Sequence, residues 1–450
     1  MRFLITLIVF ICFAVPSRAA DAKPNIVYIM VDDAGLGDFG CYGGKVVPTP
    51  NVDNLAKEGM LFTNAYSGSA VCAPTRCVLI TGKHPGHSAR RANQSRNGLI
   101  PLPADESSLA NHLKKAGYAT GGFGKWGLGN PGTTGVPEKH GFDLFYGYYD
   151  QTHAHNYYPA FLIRNSKEEP LKGGNGVSGK AGKGDEYTVD PILNEMLAFI
   201  EKNKDKPFFA YGAWTLPHGN FEVPSDETCS DEPGRYPIKN HEAMIHRLDK
   251  DLGAVMAKLK DLGLDEKTLV IFTSDNGAAG PGVQTFNSNA GLRGLKRSLY
   301  EGGIRVPMIA RWPGKVKPGT TSDLLTSHVD VLATVCDLAG QPIPNDTDGI
   351  SIVPTLLGKK QTRESLYWEI YEGPAPFQQA VRMGKWKGYR TAIKGDLELY
   401  DLSKDASESN DVADANPQVV KQIEAIMARE HVPNPNWVPV VNPGDRRKKR

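Results

Sequence analysis

The chain is poor in cysteine, in net charge and in long apolar runs. Its six cysteines are scattered over 450 residues without a Cys-x-x-Cys pair. That excludes a disulfide scaffold and a structural zinc site of the usual ligand spacing. The 52 Lys and Arg nearly cancel the 50 Asp and Glu, leaving +2, so the charge balance implies no nucleic-acid partner. Beyond the N-terminus no stretch reaches the ~18 apolar residues of a spanning helix, and no membrane anchor is expected. The one apolar run, Phe3 to Val15, follows Arg2 and precedes Pro16-Ser17-Arg18-Ala19. It is too short to span a bilayer comfortably, and it has small residues at −3 and −1. This predicts a signal peptide over residues 1–19 and an exported protein, periplasmic or secreted. Cys12 follows Phe10-Ile11 rather than small residues, against a lipoprotein anchor. Cleavage leaves Cys41, Cys72, Cys77, Cys229 and Cys336, an odd number, so at least one is unpaired or modified.

What is present alternates. Asn25 to Val31, Tyr118 to Phe123, Phe208 to Trp214 and Leu269 to Thr273 read as buried strands. Between them, Asn51 to Glu58, Ser108 to Ala116, Asp190 to Lys202 and Glu242 to Leu262 read as helices. Apolar strands separated by helices predict a mostly parallel sheet covered on both faces. Lys172 to Gly184, rich in Gly, Lys and Ser, reads as an exposed loop. From about Ser365 short strands separated by turns, then a helix from Pro417 to Glu430, predict a small antiparallel sheet with one packed helix. The domains expected are 24–360 and 361–440, followed by a basic, solvated tail over 441–450.

Ligands of open α/β sheets gather beyond the carboxyl ends of the strands. Here those ends carry Asp32-Asp33, Gly124-Lys125-Trp126, Thr215-Leu216-Pro217-His218 and Ser274-Asp275-Asn276. Asp32, Asp33, Asp275 and Asn276 are hard oxygen donors, and loops delivering several of them suit Ca²⁺. Gly122-Phe123-Gly124-Lys125-Trp126-Gly127 also matches a dinucleotide fingerprint, but Pro131 follows and no helix opens to receive a phosphate.

The run Cys72-Ala73-Pro74-Thr75-Arg76, with Thr81-Gly82 after a four-residue gap, resembles the type I sulfatase signature C-x-P-[ST]-R-x4-T-G. The run from Gly291 to Lys296, Glu301 to Pro307, and Leu399 to Leu402 also resemble that family. The resemblance spans roughly 24–430. It implies an alkaline-phosphatase-like α/β/α sandwich with a large, mostly parallel central sheet, plus a small C-terminal α+β subdomain with an antiparallel sheet. It implies sulfate-ester hydrolysis, with Cys72 converted by a formylglycine-generating enzyme to formylglycine, whose hydrate supplies the nucleophile. One Ca²⁺ would be held by Asp32, Asp33, Asp275 and Asn276 beside modified Cys72. Arg76, Lys125 and Lys296 would offset the substrate's charge, with Lys296 as the sulfate-binding lysine. His218 is the candidate general acid for the leaving oxygen.

One position departs from the pattern. Sulfatases usually read Gly-Lys-Trp-His-Leu-Gly; this chain has Gly127 in place of the histidine, leaving the base of the second half-reaction unassigned. His153 and His155 lie on one side if their segment is extended, and one of them is expected to enter the site as the missing base or as a substrate contact. The substrate expected is a sulfated saccharide of galactose or N-acetylgalactosamine type, with Tyr148, Tyr149, Tyr157, Tyr158, Trp368 and Tyr371 as candidate sugar platforms. The alternatives are a phosphoester hydrolase of the same superfamily and a non-catalytic glycan-binding relative.

Overall fold

The structure is a computed structural model that describes residues 23–95, 98–177, 182–224 and 237–442. The expected signal peptide, Cys229 and most of the basic tail lie outside the described residues.

The chain begins with β1 (Asn25–Val31), α1 (Pro50–Glu58), β2 (Met60–Phe62), β3 (Ala65–Tyr66), α2 (Cys72–Thr81) and α3 (Leu109–Lys115). It continues with β4 (Ala119–Lys125), β5 (Leu144–Tyr148), β6 (Phe161–Arg164), β7 (Lys167–Pro170), α4 (Val189–Lys202), β8 (Phe208–Ala213), α5 (Ile238–Asp261) and β9 (Thr268–Ser274). The large sheet is completed by β10 (Met308–Arg311) and β11 (Thr320–Ser322). Its order is β11-β2-β10-β9-β1-β8-β4-β5-β6-β7. The inner five, β9, β1, β8, β4 and β5, run parallel; β10, β6 and β7 run antiparallel to their neighbours.

Strand β1 shows why a parallel sheet forms here. All seven residues are buried, and alternate side chains enter opposite layers. Ile26, Tyr28 and Met30 pack among Leu79 and Ile80 of α2 and Leu109 and Leu113 of α3. Val27, Ile29 and Val31 pack among Leu55 of α1, Met196 of α4 and Leu248 and Leu252 of α5. Fully burying each such side chain contributes roughly 1.5–3 kcal/mol. Register then positions the site. Met30 lies level with Ala213 and Thr273, and Gly124 is also level with Ala213. The residues just past β1, β4, β8 and β9 therefore share one edge.

A short parallel ribbon pairs β3 with β12 (Thr326–Ser327). Beyond it, β13 (Ser365–Ile370), β14 (Gln378–Met383), β15 (Trp386–Arg390) and β16 (Glu398–Asp401) form an antiparallel sheet. The helix Pro417–Glu430 lays Ile423, Ile426 and Met427 against it. Buried polar contacts tie this sheet to the rest of the chain: Trp368 Nε1 donates to Ser67 O at 2.8 Å, and Lys387 Nζ lies 2.9 Å from Glu301 Oε1 and 3.1 Å from Glu408 Oε1. Among the described residues no helix is long and apolar enough to cross a membrane.

Four expected sugar platforms are core residues. Tyr148, Tyr149 and Tyr157 are fully buried and Trp368 is almost so. None of these rings offers an exposed face on which a sugar could stack.

Candidate active site

Cys72 is the first residue of α2. Val71 before it is extended (φ −150°, ψ 159°), and Pro74 falls in the first turn, where a missing N–H breaks no helical bond. Asn93 Oδ1 accepts the Ala73 N–H at 3.0 Å. Thr75 Oγ1 accepts from Ser69 N and donates to Ser69 O, both at 2.9 Å. Gly82, left-handed at φ 67°, ends the helix. Every residue of α2 is buried. Arg76, four residues after Cys72, lies on the same helix face. Its guanidinium donates to Asp275 Oδ2 at 3.0 Å, Asp32 Oδ2 at 3.3 Å and Lys125 O at 2.8 Å.

The strand-edge residues converge on Cys72. Its thiol donates to Asp32 Oδ1 at 3.3 Å and accepts from Lys296 Nζ at 3.3 Å. Lys125 Nζ donates to Asp32 Oδ2 at 2.6 Å. Lys296 Nζ lies 2.6 Å from Asp33 Oδ1 and 2.8 Å from Asp33 Oδ2. Asn276 Nδ2 donates to Asp33 Oδ1 at 2.8 Å and to Gly277 O at 3.0 Å. The structure thus brings together Asp32, Asp33, Cys72, Arg76, Lys125, His218, Asp275, Asn276 and Lys296.

Charge governs how these groups titrate. Burial alone would raise Asp32, but Lys125, His218, Arg76 and Lys296 override it and hold the carboxyl well below its ordinary range. Burial likewise works against Asp33, and Lys296 and His218 hold it down. Asp275 goes the other way: burial and the neighbouring Asp32 push it up to about 7 despite Arg76. Burial, with Asp275 and Asp32, also pushes the Cys72 thiol far up. An unmodified Cys72 is therefore a protonated thiol and a poor nucleophile.

His218 Nδ1 donates to the Gly219 carbonyl, since that oxygen only accepts, and Nε2 lies 3.5 Å from Asp33 Oδ2. Nε2 is thus the nitrogen free to exchange a proton. Burial and Lys296 push His218 down to about 4, with Asp33 and Asp32 opposing.

The two histidines after Asp150 part company. The segment is not extended: Asp150 Oδ1 accepts the Thr152 and His153 N–H groups at 2.8 and 3.0 Å, folding His153–His155 into a 3₁₀ turn. His155 stacks on His218 at 4.3 Å between ring centroids. Burial, then His218 and Lys125, push it down to about 3. His153 turns away, against Tyr148 and Phe161 at 5.1 and 4.8 Å. The expectation that both rings share one side is corrected accordingly.

Gly127 also has a spatial explanation. Its φ is +79°, and a Cβ there would fall 1.9 Å from Gln151 Nε2. The Gln151 amide fills the place a side chain at 127 would take. Sequence spacing gives no signal of this, because the two residues meet only when β5 pairs with β4.

The family profile described as Sulfatase matches residues 24–341, more than half of the chain. The chain belongs to the sulfatase family. A second profile, described as the C-terminal part of N-sulphoglucosamine sulphohydrolase, matches residues 294–432. Human arylsulfatase A is 34% identical, covering 91% of this chain and 89% of its own. The N-acetylgalactosamine-6-O-sulfatase of Bacteroides thetaiotaomicron is 32% identical, covering 90% and 92%. Among solved structures, Ps i-CgsB superposes with a TM-score of 0.80 at 28% identity over 92% of this chain and 94% of that one. This protein is a sulfuric ester hydrolase, and its fold is that of the family: a mixed, mostly parallel ten-stranded sheet with a smaller antiparallel one.

Proposed function

We propose that this sulfatase acts on a sulfated saccharide, of galactose or N-acetylgalactosamine type, outside the cytoplasm. Its relatives support the substrate class: one is named for N-acetylgalactosamine 6-O-sulfate chemistry, and Ps i-CgsB was also solved in complex with k-i-k-neocarrahexaose. The observation that carries the reading is the placement of Cys72 Sγ between Asp32 Oδ1 and Lys296 Nζ, with Arg76 and Lys125 behind them. A sulfate ester arriving there meets three cations set to offset its charge.

The donor set fits a hard cation. With Asn276 Nδ2 occupied, its buried Oδ1 has no partner. Three carboxylates converge, and burial with the neighbouring Asp32 pushes Asp275 up to about 7. Asp32, Asp33, Asp275 and Asn276 would hold Ca²⁺, which would supply charge stabilisation beside residue 72. As formylglycine, residue 72 would supply a hydroxyl nucleophile that a buried thiol does not.

The chain's own residues then have distinct tasks. Lys296 and Lys125 orient the sulfate oxygens, and Arg76 fixes Asp32 and Asp275. His218 holds the proton for the leaving oxygen at Nε2. An anionic ester beside it opposes the effect of Lys296 and raises its affinity for that proton. His155, stacked on His218, is the base candidate that remains.

A desulfation screen over defined sulfated sugars, using protein produced with a formylglycine-generating enzyme, tests the proposal. Sulfate release that Cys72→Ala abolishes is expected, with peptide mass spectrometry showing residue 72 without its sulfur. Full activity with an intact thiol would overturn it.

A further inference from the structure

A cavity of about 50 Å³ lies beside the end of β4, lined by Arg90, Gly127, Asn130, Tyr149, Asp150 and Gln151 among others. The site does not use it. It is nevertheless connected to the catalytic residues along two lines of structure. Gly127 follows Lys125 by two residues, and its N–H donates to Tyr149 O at 3.1 Å. Arg90 Nη2 donates to Asn93 O at 2.6 Å, and Asn93 Oδ1 accepts the N–H of Ala73, next to Cys72.

Two residues lining this cavity carry buried donors without partners: Arg90 Nε and Gln151 Nε2. Arg90 is 3% exposed and Gln151 9%. A buried donor without a partner is costly, and a ligand oxygen would recover that cost. Among the described residues no carboxylate lies within ion-pair distance of Arg90. Asp150 lines the same cavity, its Oδ1 held by two backbone N–H groups and its Oδ2 3.4 Å from Asn130 Nδ2. One cation and one anion leave the walls balanced, so they suit a neutral group that both accepts and donates. A sugar hydroxyl does both. The room accommodates a few water-sized groups, the hydroxyls along one edge of a pyranose rather than a whole ring. A side chain at 127 would displace the Gln151 amide, whose Nε2 a Cβ there would meet at 1.9 Å.

We propose that this cavity is a saccharide subsite in which Arg90, Gln151 and Asp150 bind neutral hydroxyls of the sugar that carries the sulfate. Gln151 is the specificity-determining residue. The proposal rests on the saccharide sulfatase reading and extends it: the sugar presents hydroxyls, not a carboxylate, on this side.

The test compares kcat/KM for the best substrate from a panel of galactose and N-acetylgalactosamine sulfates with that for nitrophenyl sulfate, which has no sugar. In Gln151→Ala the ratio of the two should fall at least tenfold. With the unaltered protein, at least one monodeoxy sugar sulfate should lose at least tenfold in kcat/KM, and that loss should vanish in Gln151→Ala. A ratio within twofold of the unaltered protein's would overturn the proposal. So would a deoxy penalty equal in both proteins, or a uronate sulfate turned over better than the neutral sugars. Hydrolysis of nitrophenyl sulfate without any sugar sulfate would overturn the subsite alone; hydrolysis of neither would overturn the sulfatase reading with it.

Discussion

Lys296 Nζ bridges Cys72 Sγ, at 3.3 Å, and Asp33 Oδ1, at 2.6 Å. One ammonium thus touches both the residue proposed as nucleophile and a carboxylate proposed as metal ligand. Burial works against its charge, and Asp33, Cys72 and Asp32 more than restore it. Lys296→Ala should therefore lower kcat/KM about 10²–10³-fold, the range for losing one preorganised donor. Steady-state kinetics on nitrophenyl sulfate, with circular dichroism to verify folding, measures this; a loss below tenfold would contradict the assignment.

The divergence of His153 and His155 gives a paired expectation. His155→Ala should reduce turnover about 10²-fold, within the range for a positioned acid or base. His153→Ala should leave kcat within about threefold, its effect confined to packing against Phe161. The comparison is a single-turnover assay on both variants, and equal rates would remove His155 from the chemistry.

Removal of the cation should separate binding from folding. A ligand held only by the native state stabilises it by mass action. Chelation should therefore lower both the sulfatase rate and the Tm, and Ca²⁺ should restore both. Asp275→Ala should blunt the Ca²⁺-induced rise in Tm; a rise of undiminished size would argue that the ion binds elsewhere.

Asp38 supplies a pH dependence away from the chemistry. Burial pushes its carboxyl up to about 6, against the Ser288 hydroxyl and the Gly35 N–H, and its Oδ1 has no partner. Between about pH 4 and pH 6 the folded protein holds a proton that the unfolded chain has released. Stability from this group is thus complete below the unfolded value and is lost as pH rises through 6. The loss is on the order of 3 kcal/mol at 1.36 kcal/mol per unit. Asp38→Asn should flatten that slope in urea melts recorded from pH 4 to pH 7.

Strands β1, β8 and β9 were legible because both of their faces are buried, which makes each run continuously apolar. The carboxylates after β1 and β9 followed from that reading. Helix α2 was not legible as a helix: its ten residues carry no amphipathic stripe, because every side is buried. The 3₁₀ turn at His153 was signalled by Asp150, whose carboxylate can cap the two N–H groups ahead of it, yet the spacing of the histidines alone suggested an extended strand. Gln151 was out of reach, since its contact with Gly127 exists only in three dimensions.

The burial of α2 has a bearing on when the proposed modification of Cys72 could take place. Cys72 is 2% exposed and sits at the start of a helix with no residue facing solvent. No second protein could enclose that cysteine without unravelling the helix and the strand edge above it. The proposed conversion of residue 72 to formylglycine would therefore have to come while the segment is still extended, before the chain folds. On that proposal each molecule's competence would be decided once, ahead of folding, and a chain that folds with its thiol intact would have no later opportunity to gain activity.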